Sequence, residues 1–354
     1  MNRYAAEARS RKRCLLIVEG HHEKNELFSL VFECFPELDI DMDSVWIYGT
    51  NIYMLYEDIV KEYGCSWAEE GMDIDLPFVI SKKESPDTVC YKNDFTDIIL
   101  VFDYERHDPN FSEDKISEMQ TCFSDSTDMG KLYLNYPMIE SYLHLRALPD
   151  EEYIDRSVPV SLQPGDKYKR MVHKESVIEN MVGLPHKIND LLKKDPYNIT
   201  DETKRRECCN SILDISDTQM KELLEEILHI VGDEKEENTL KCRIQDWILK
   251  LGYVYENKTY FEYMRDVFRE IVCHNICKAY KVQYDQKADK NLKEQFGQLD
   301  LSRILDIQNE VSMDHEKGFV WVLSTCLFLI PDYNFKLIGE DDSVANWKGV
   351  LCSK

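Results

Sequence analysis

The sequence predicts an α/β protein: a mostly parallel sheet with helices on both faces, followed by a mainly α-helical second half. Short apolar runs alternate with helix-period segments over the first 150 residues. Each such run ends on an acidic or turn residue rather than on a hairpin signal, so the strands need crossovers, and crossovers put helices over a parallel sheet. Beyond residue 165, 3.6-residue periodicity takes over.

Cys14–Val18 is a five-residue apolar run ending at Glu19–Gly20, the pattern of a strand buried on both faces. A helix follows through Leu27, Phe28, Leu30, Val31 and Cys34 and stops near Pro36. Ser44–Tyr48 is the second strand. Gly49-Thr50-Asn51 then supplies a turn and an N-cap for a helix over Ile52–Tyr63. Residues 64–97 are an irregular acidic insertion with a short strand at Phe78–Ile80. Ile98–Phe102 is the third strand, Glu113–Phe123 a helix, Lys131–Leu134 the fourth strand and Met138–Leu148 an amphipathic helix. The domains divide as 1–150 and 165–354, with a linker at Ser161–Asp166 around Pro164 and Gly165. The second half reads as helices at 171–182, 184–194, 201–213, 217–231, 239–251, 259–280, 300–310 and 316–330, with breaks at Asp195–Pro196 and Gly232–Asp233.

The chain carries 43 Lys and Arg against 67 Asp and Glu, a net charge of −24. Residues 33–128 hold 24 acids and 6 bases, so that stretch alone contributes −18. This argues against a generally basic nucleic-acid coat or a membrane-surface protein. The apolar run before Glu19 is too short for a secretory signal core, and the twelve cysteines form no CxxC pair, which leads to the expectation of a reduced, cytoplasmic protein. Phe319–Ile330, closed by Pro331, is too short for a bilayer span; it reads as a core helix or a homodimer interface.

In open α/β sheets, ligands sit beyond the carboxyl ends of the strands. Three acidic signals fall there: Glu19 with Glu23 and Lys24 in the next helical turn, Asp103-Tyr104-Glu105, and Glu140 after Tyr136-Pro137. Carboxylates converging from separate strands repel one another unless a cation lies between them. Hard oxygen ligands favour Mg²⁺ or Mn²⁺ over zinc. Lys24, Arg106 and Lys131 lie beside these motifs, where a cation either offsets transition-state charge or makes a structural ion pair. His21, His22 and His107 flank the site as turn histidines. Cys273, His274 and Cys277 fall on an apolar helical stretch and read as core, as do Cys208 and Cys209.

The run Ile17-Val18-Glu19-Gly20-His21-His22-Glu23-Lys24-x-x-Leu27 resembles the first motif of TOPRIM domains, in the E-G-x-x-E-K form of OLD-family nucleases. Asp103-Tyr104-Glu105 resembles the second motif, Asp-x-Asp, and Asn135-Tyr136-Pro137-x-x-Glu140 is similar to the third acidic element of stand-alone TOPRIM nucleases of the RloB and OLD type. The resemblance spans about residues 12–148. It implies that Glu19 is a general acid/base or metal ligand and that Asp103 and Glu105 hold the metal. Glu23 and Glu140 are supporting ligands, and Lys24 is a catalytic candidate. Position 105 departs from the family, which usually has Asp there.

The resemblance implies a metal-dependent endonuclease acting on DNA or RNA, a toxic effector in prokaryotic anti-phage defence. No Walker A loop occurs, so a separate ABC-type ATPase, as in PARIS-type systems, is the expected controlling partner. The alternative is a degenerate TOPRIM-like module that binds without cutting; a primase- or topoisomerase-related accessory factor is a third reading. Residues 165–206 carry a net +3, 241–293 a net +4 and 207–237 a net −8. Lys167, Lys169, Arg170 and Lys174, with Lys204, Arg205 and Arg206, are the candidate nucleic-acid contacts, with Tyr168 as an aromatic neighbour. A solvated helix face paired with the acidic stripe accounts for the same charges.

Overall fold

The computed structural model describes residues 14–69, 71–84, 89–162, 165–194, 198–217, 224, 234–286 and 291–339. The chain enters the sheet at β1 (Cys14–Val18), whose Leu15 to Val18 are fully buried. A π-helical stretch over Glu23–Phe28 continues as α1 (Ser29–Cys34). β2 (Val45–Ile47) follows, and then α2 (Ile52–Tyr63), where the Asn51 side chain accepts from the Met54 N–H as the cap signal predicts. After α3 (Leu76–Glu84) come β3 (Asp97–Asp103), α4 (Glu113–Cys122), β4 (Ser124–Asp125) and β5 (Gly130–Tyr136).

β6 (Ser157–Pro159) leads into the helical half. Its helices are α5 (Gly165–Glu175), α6 (Glu179–Val182), α7 (Leu184–Leu192), α8 (Glu202–Leu213), α9 (Glu234–Leu251), α10 (Tyr260–Tyr284), α11 (Leu292–Gly297) and α12 (Leu301–Ser312). β7 (Phe319–Trp321), β8 (Leu323–Ser324) and α13 (Leu329–Asn334) close the described chain.

The main sheet runs β2-β1-β3-β5-β4, with β8 also on β5. The β1–β2, β1–β3 and β3–β5 pairs are parallel, while β4 and β8 pair antiparallel with β5. The strand order reverses direction at β1, since β2 lies on one side and β3 on the other. The crevice above the β1 and β3 carboxyl ends is therefore the topological switch point. β6 and β7 form a separate two-stranded sheet.

The two halves share structure. β8 extends the main sheet by pairing Ser324 with Asn135 and Leu323 with Tyr136. Tyr104 donates to Asn309 Oδ1 at 2.7 Å, its hydroxyl also lies 3.0 Å from Ser312, and all three are buried. At the centre of α10, Asn275 Oδ1 accepts from the Tyr153 hydroxyl and from the Ser324 N–H, both at 2.8 Å. Cys273, His274 and Cys277 lie in this core, with His274 Nε2 accepting from the Asp150 N–H at 2.9 Å.

Five expectations are corrected. Phe78–Ile80 is helical within α3: the Asp75 carboxylate accepts from the Phe78 N–H, and Pro77 stands in the first turn, where its missing N–H costs nothing. The 138–148 helix reduces to a 3₁₀ segment, Ile139–Leu143. The carbonyls that would continue it are claimed by the Ser176 hydroxyl, Arg156 and the Val177 N–H. The expected 171–182 helix breaks at Ser176, whose hydroxyl accepts from the N–H groups of Ile178 and Glu179. Phe319–Ile330 is two short strands and a 3₁₀ turn, since β6 and β5 take its backbone bonds; Pro331 lies in the first turn of α13 rather than ending a helix. Gly165 and Asp166, expected as linker, open α5. Pro164, the two breaks and most of the 217–231 helix lie outside the described residues.

Candidate metal centre

Two adjacent parallel strands deliver the acids to one point. β1 ends at Val18 and β3 at Asp103, with Val18 in register with Val101. Glu19 and Asp103 thus emerge side by side, and the Asp103 N–H donates to Glu19 Oε2 at 3.3 Å. Glu105 is turned back toward them by a left-handed backbone (φ 38°), a conformation that costs a non-glycine residue about 1 kcal/mol or more. Hydrogen bonds from the Tyr104 N–H to Asn135 O and from the Glu105 N–H to Pro137 O hold that turn against β5. Ligand oxygens of Glu19, Asp103 and Glu105 all lie within 4.8 Å of one another.

The electrostatics are those of crowded negative charge that the nearby ammonium of Lys169 only partly offsets. Asp103 is 4% exposed, and its Oδ1 has no hydrogen-bond partner among the described residues. Burial, reinforced by Glu19 and Glu140, raises its pKa well above the ordinary carboxyl range. Burial and then Glu105 push Glu19 up to about 8. Glu105 is also raised, by burial and then by Asp108. A buried carboxylate oxygen with nothing to accept from is costly. That orphaned oxygen, with carboxylates of Glu19 and Glu105 converging on it, fits a hard divalent cation, with Glu19, Asp103 and Glu105 as the residues that would hold it.

The supporting acids take different roles. Glu23 is buried and folds back so that Oε2 accepts from the Gly20 N–H at 3.0 Å. A Cβ at Gly20 would meet that oxygen at 3.1 Å, so glycine leaves room for the turn. Glu140 is buried, with Oε1 2.9 Å from Lys169 Nζ and Oε2 without a partner among the described residues. Burial opposes the charge on Lys169, yet Glu140, Asp103 and Glu23 hold its pKa above the ordinary value. Lys169 belongs at the acid cluster, a placement its cluster of neighbouring bases in the sequence does not signal.

The remaining candidates separate. Lys24 donates to Val45 O at 2.6 Å; Val45 pairs with Leu16, three residues short of Glu19, so the ammonium serves the β1–β2 edge below the cluster. Arg106 pairs with Glu113 at 2.9 Å and Lys131 with Asp332 at 2.5 Å, both structural ion pairs. His22 bonds Glu26 at 3.1 Å.

Lys167, Arg170 and Lys174 are exposed on α5 at i, i+3 and i+7, one face of that helix. Lys204 and Arg206 are exposed on α8. Arg205 is a correction: it is 8% exposed, with Nε donating to Asn189 Oδ1 and Nη1 to the carbonyls of Ile199 and Thr200. Its five donors fit the carbonyl-lined end of a loop, which charge counting does not reveal. Tyr168 is likewise no stacking platform. It is 1% exposed, with its hydroxyl 3.2 Å from His144 Nδ1, while His144 Nε2 is 3.0 Å from Glu175. Burial lowers the His144 pKa to about 4, so the ring is neutral and pins both ends of α5 beside the cluster. Sequence reasoning misses this anchor because its partners lie 24 and 31 residues apart with no motif between them.

No family model, no curated protein and no solved structure matches the chain. No helix among the described residues is long and apolar enough to cross a membrane.

Proposed function

We propose that this chain is a metal-dependent phosphodiesterase of the TOPRIM kind, cutting DNA or RNA with Mg²⁺ or Mn²⁺. The observation that carries the reading is the convergence of Glu19, Asp103 and Glu105 at the switch point of a parallel sheet, with Asp103 buried and its Oδ1 unpartnered among the described residues. A divalent ion bound there would make a coordinated water acidic and offset charge on the phosphodiester. A cation held beside it would keep Glu19 ionised, and its carboxylate could then take a proton from the attacking water. Lys169 leans on Glu140 at the edge of the cluster and meets a phosphate oxygen. Lys167, Arg170 and Lys174 give α5 a cationic face that tracks the backbone next to the site. The left-handed turn at Glu105 favours this reading over a binding-only module, since it brings the longer acid into the position where the resembled family carries Asp.

The net charge of −24 opposes an unassisted grip on a polyanion. From the resemblance to stand-alone TOPRIM effectors we assign the chain a cytoplasmic role as a toxic anti-phage effector held by a separate ATPase, with residues 1–150 as the catalytic part and 165–354 for substrate, partner or dimer contacts. The test is expression in cells of the wild type and of Glu19→Ala, with sequencing of nucleic-acid ends. Growth arrest with new ends that both disappear in the variant is the expected result; arrest that persists in Glu19→Ala refutes it.

A further inference from the structure

Beside Glu105 a cleft of about 230 Å³ opens off the metal centre. Its walls are apolar: Pro137, Met138, Val158, Pro159, Leu162 and Val320. Its polar residues are Glu105, Arg106, His107 and Asp108, with Tyr168 below. Two of the four are engaged elsewhere. Arg106 bonds Glu113 and Ser312 O and lies over the Phe111 ring, and Asp108 accepts from the Asn51 amide and the Asn110 N–H. His107 makes no hydrogen bond among the described residues. Its ring nitrogens are the groups in the cleft left to hydrogen-bond an occupant.

A site of this size is smaller than the roughly 300–1,000 Å³ pockets that take drug-sized ligands. It matches one planar heterocycle held between aliphatic walls with a hydrogen-bonding edge at one side. Its position matters as much as its size, because Glu105 belongs to both the cleft and the carboxylate triad. A group seated here lies against a carboxylate of the triad.

We propose that the cleft is a nucleobase subsite that takes the base of a nucleotide flanking the scissile phosphate. This rests on the phosphodiesterase reading and extends it to the substrate. A base inside a duplex is stacked and paired and enters only if flipped, at a cost of a few kcal/mol. A single-stranded segment offers its bases freely. The substrate class is therefore unpaired nucleic acid, gripped by one base without reading a long sequence.

The test uses the full chain with MgCl₂ and two probes, the four nucleoside 5′-monophosphates and ribose 5-phosphate, by calorimetric titration. The monophosphates bind more than about tenfold tighter than ribose 5-phosphate, and Leu162→Trp, which fills the cleft, removes that difference. His107→Ala weakens at least one monophosphate several-fold and serves if Leu162→Trp fails to fold. Equal binding of ribose 5-phosphate and the monophosphates overturns the proposal, as does unchanged binding in folded variants. A second arm places one abasic residue in a single-stranded oligonucleotide. Cutting at the adjoining linkage falls at least tenfold; undiminished cutting overturns the subsite and leaves the nuclease reading standing. Base-dependent binding lost in Leu162→Trp, with no cutting of any nucleic acid, overturns the nuclease reading and leaves the cleft assignment standing.

Discussion

Replacing Glu19 with Gln makes the cation-free protein more stable at alkaline pH. Glu19 titrates at about 8 in the folded chain against 4.5 for the free side chain. An acid raised in this way binds its proton more tightly folded than unfolded, so folding stability is greatest below 4.5 and declines as pH rises toward 8. At roughly 1.4 kcal/mol per pH unit, the gap costs the folded state up to about 5 kcal/mol once pH exceeds 8. For a chain of this length that corresponds to a fall in Tm of up to roughly 10 °C. Gln keeps the shape and carries no charge. The assay is thermal unfolding with EDTA from pH 5 to 8.5, taken as the difference between wild type and Glu19→Gln, since the other 66 acids of the chain titrate in both proteins. The difference is small at pH 5 and favours the variant by several degrees at pH 8.5. Mg²⁺ or Mn²⁺ at about 100 times its Kd adds roughly 2.7 kcal/mol to the wild type and less than half of that to the variant. Equal pH slopes, or equal cation responses, refute the reasoning.

Other changes separate the roles assigned above. Lys169→Met removes a competing cation from the cluster. Calorimetry then shows tighter Mn²⁺ binding by a few-fold, while nucleic-acid cutting slows at least tenfold. Arg205→Ala removes three partly buried hydrogen bonds and costs about 1–2 kcal/mol in denaturant unfolding, with nucleic-acid affinity unchanged. By contrast, Lys167→Ala with Arg170→Ala keeps stability and lowers the salt dependence of nucleic-acid binding by about two ion equivalents. Tyr104→Phe breaks the hydroxyl link from the end of β3 to Asn309 and Ser312 and costs about 1–2 kcal/mol by the same unfolding measurement.

The parts of this fold that were legible in the sequence are those governed by local rules. β1 and the Ile98–Phe102 core of β3 are uninterrupted apolar runs because a strand covered on both faces has no solvent side. α2 starts at Ile52 because Asn51 is a good cap. The carboxylates could be placed together because consecutive parallel strands present their ends on one edge. What was not legible depends on distant partners. Phe319–Ile330 has the composition of a helix, yet β5 and β6, far earlier in the chain, claim its backbone. Arg205 and its neighbours Lys204 and Arg206 look alike in sequence, and only the fold at Ile199 and Thr200 buries one of the three. Lys169 carries no mark that distinguishes it from Lys167. What assigns it to the acid cluster is the docking of α5 through Tyr168, His144 and Glu175.

The most direct test is cutting by the purified chain. Wild type, Glu19→Gln and Asp103→Asn are incubated with single- and double-stranded DNA and RNA in Mg²⁺, in Mn²⁺ and in EDTA, each protein first shown to be folded by its melting curve. The expected result is cation-dependent cleavage by the wild type, abolished by EDTA and by either substitution. Cleavage that survives in both folded variants, or a folded wild type that cuts none of these substrates with either cation, contradicts it.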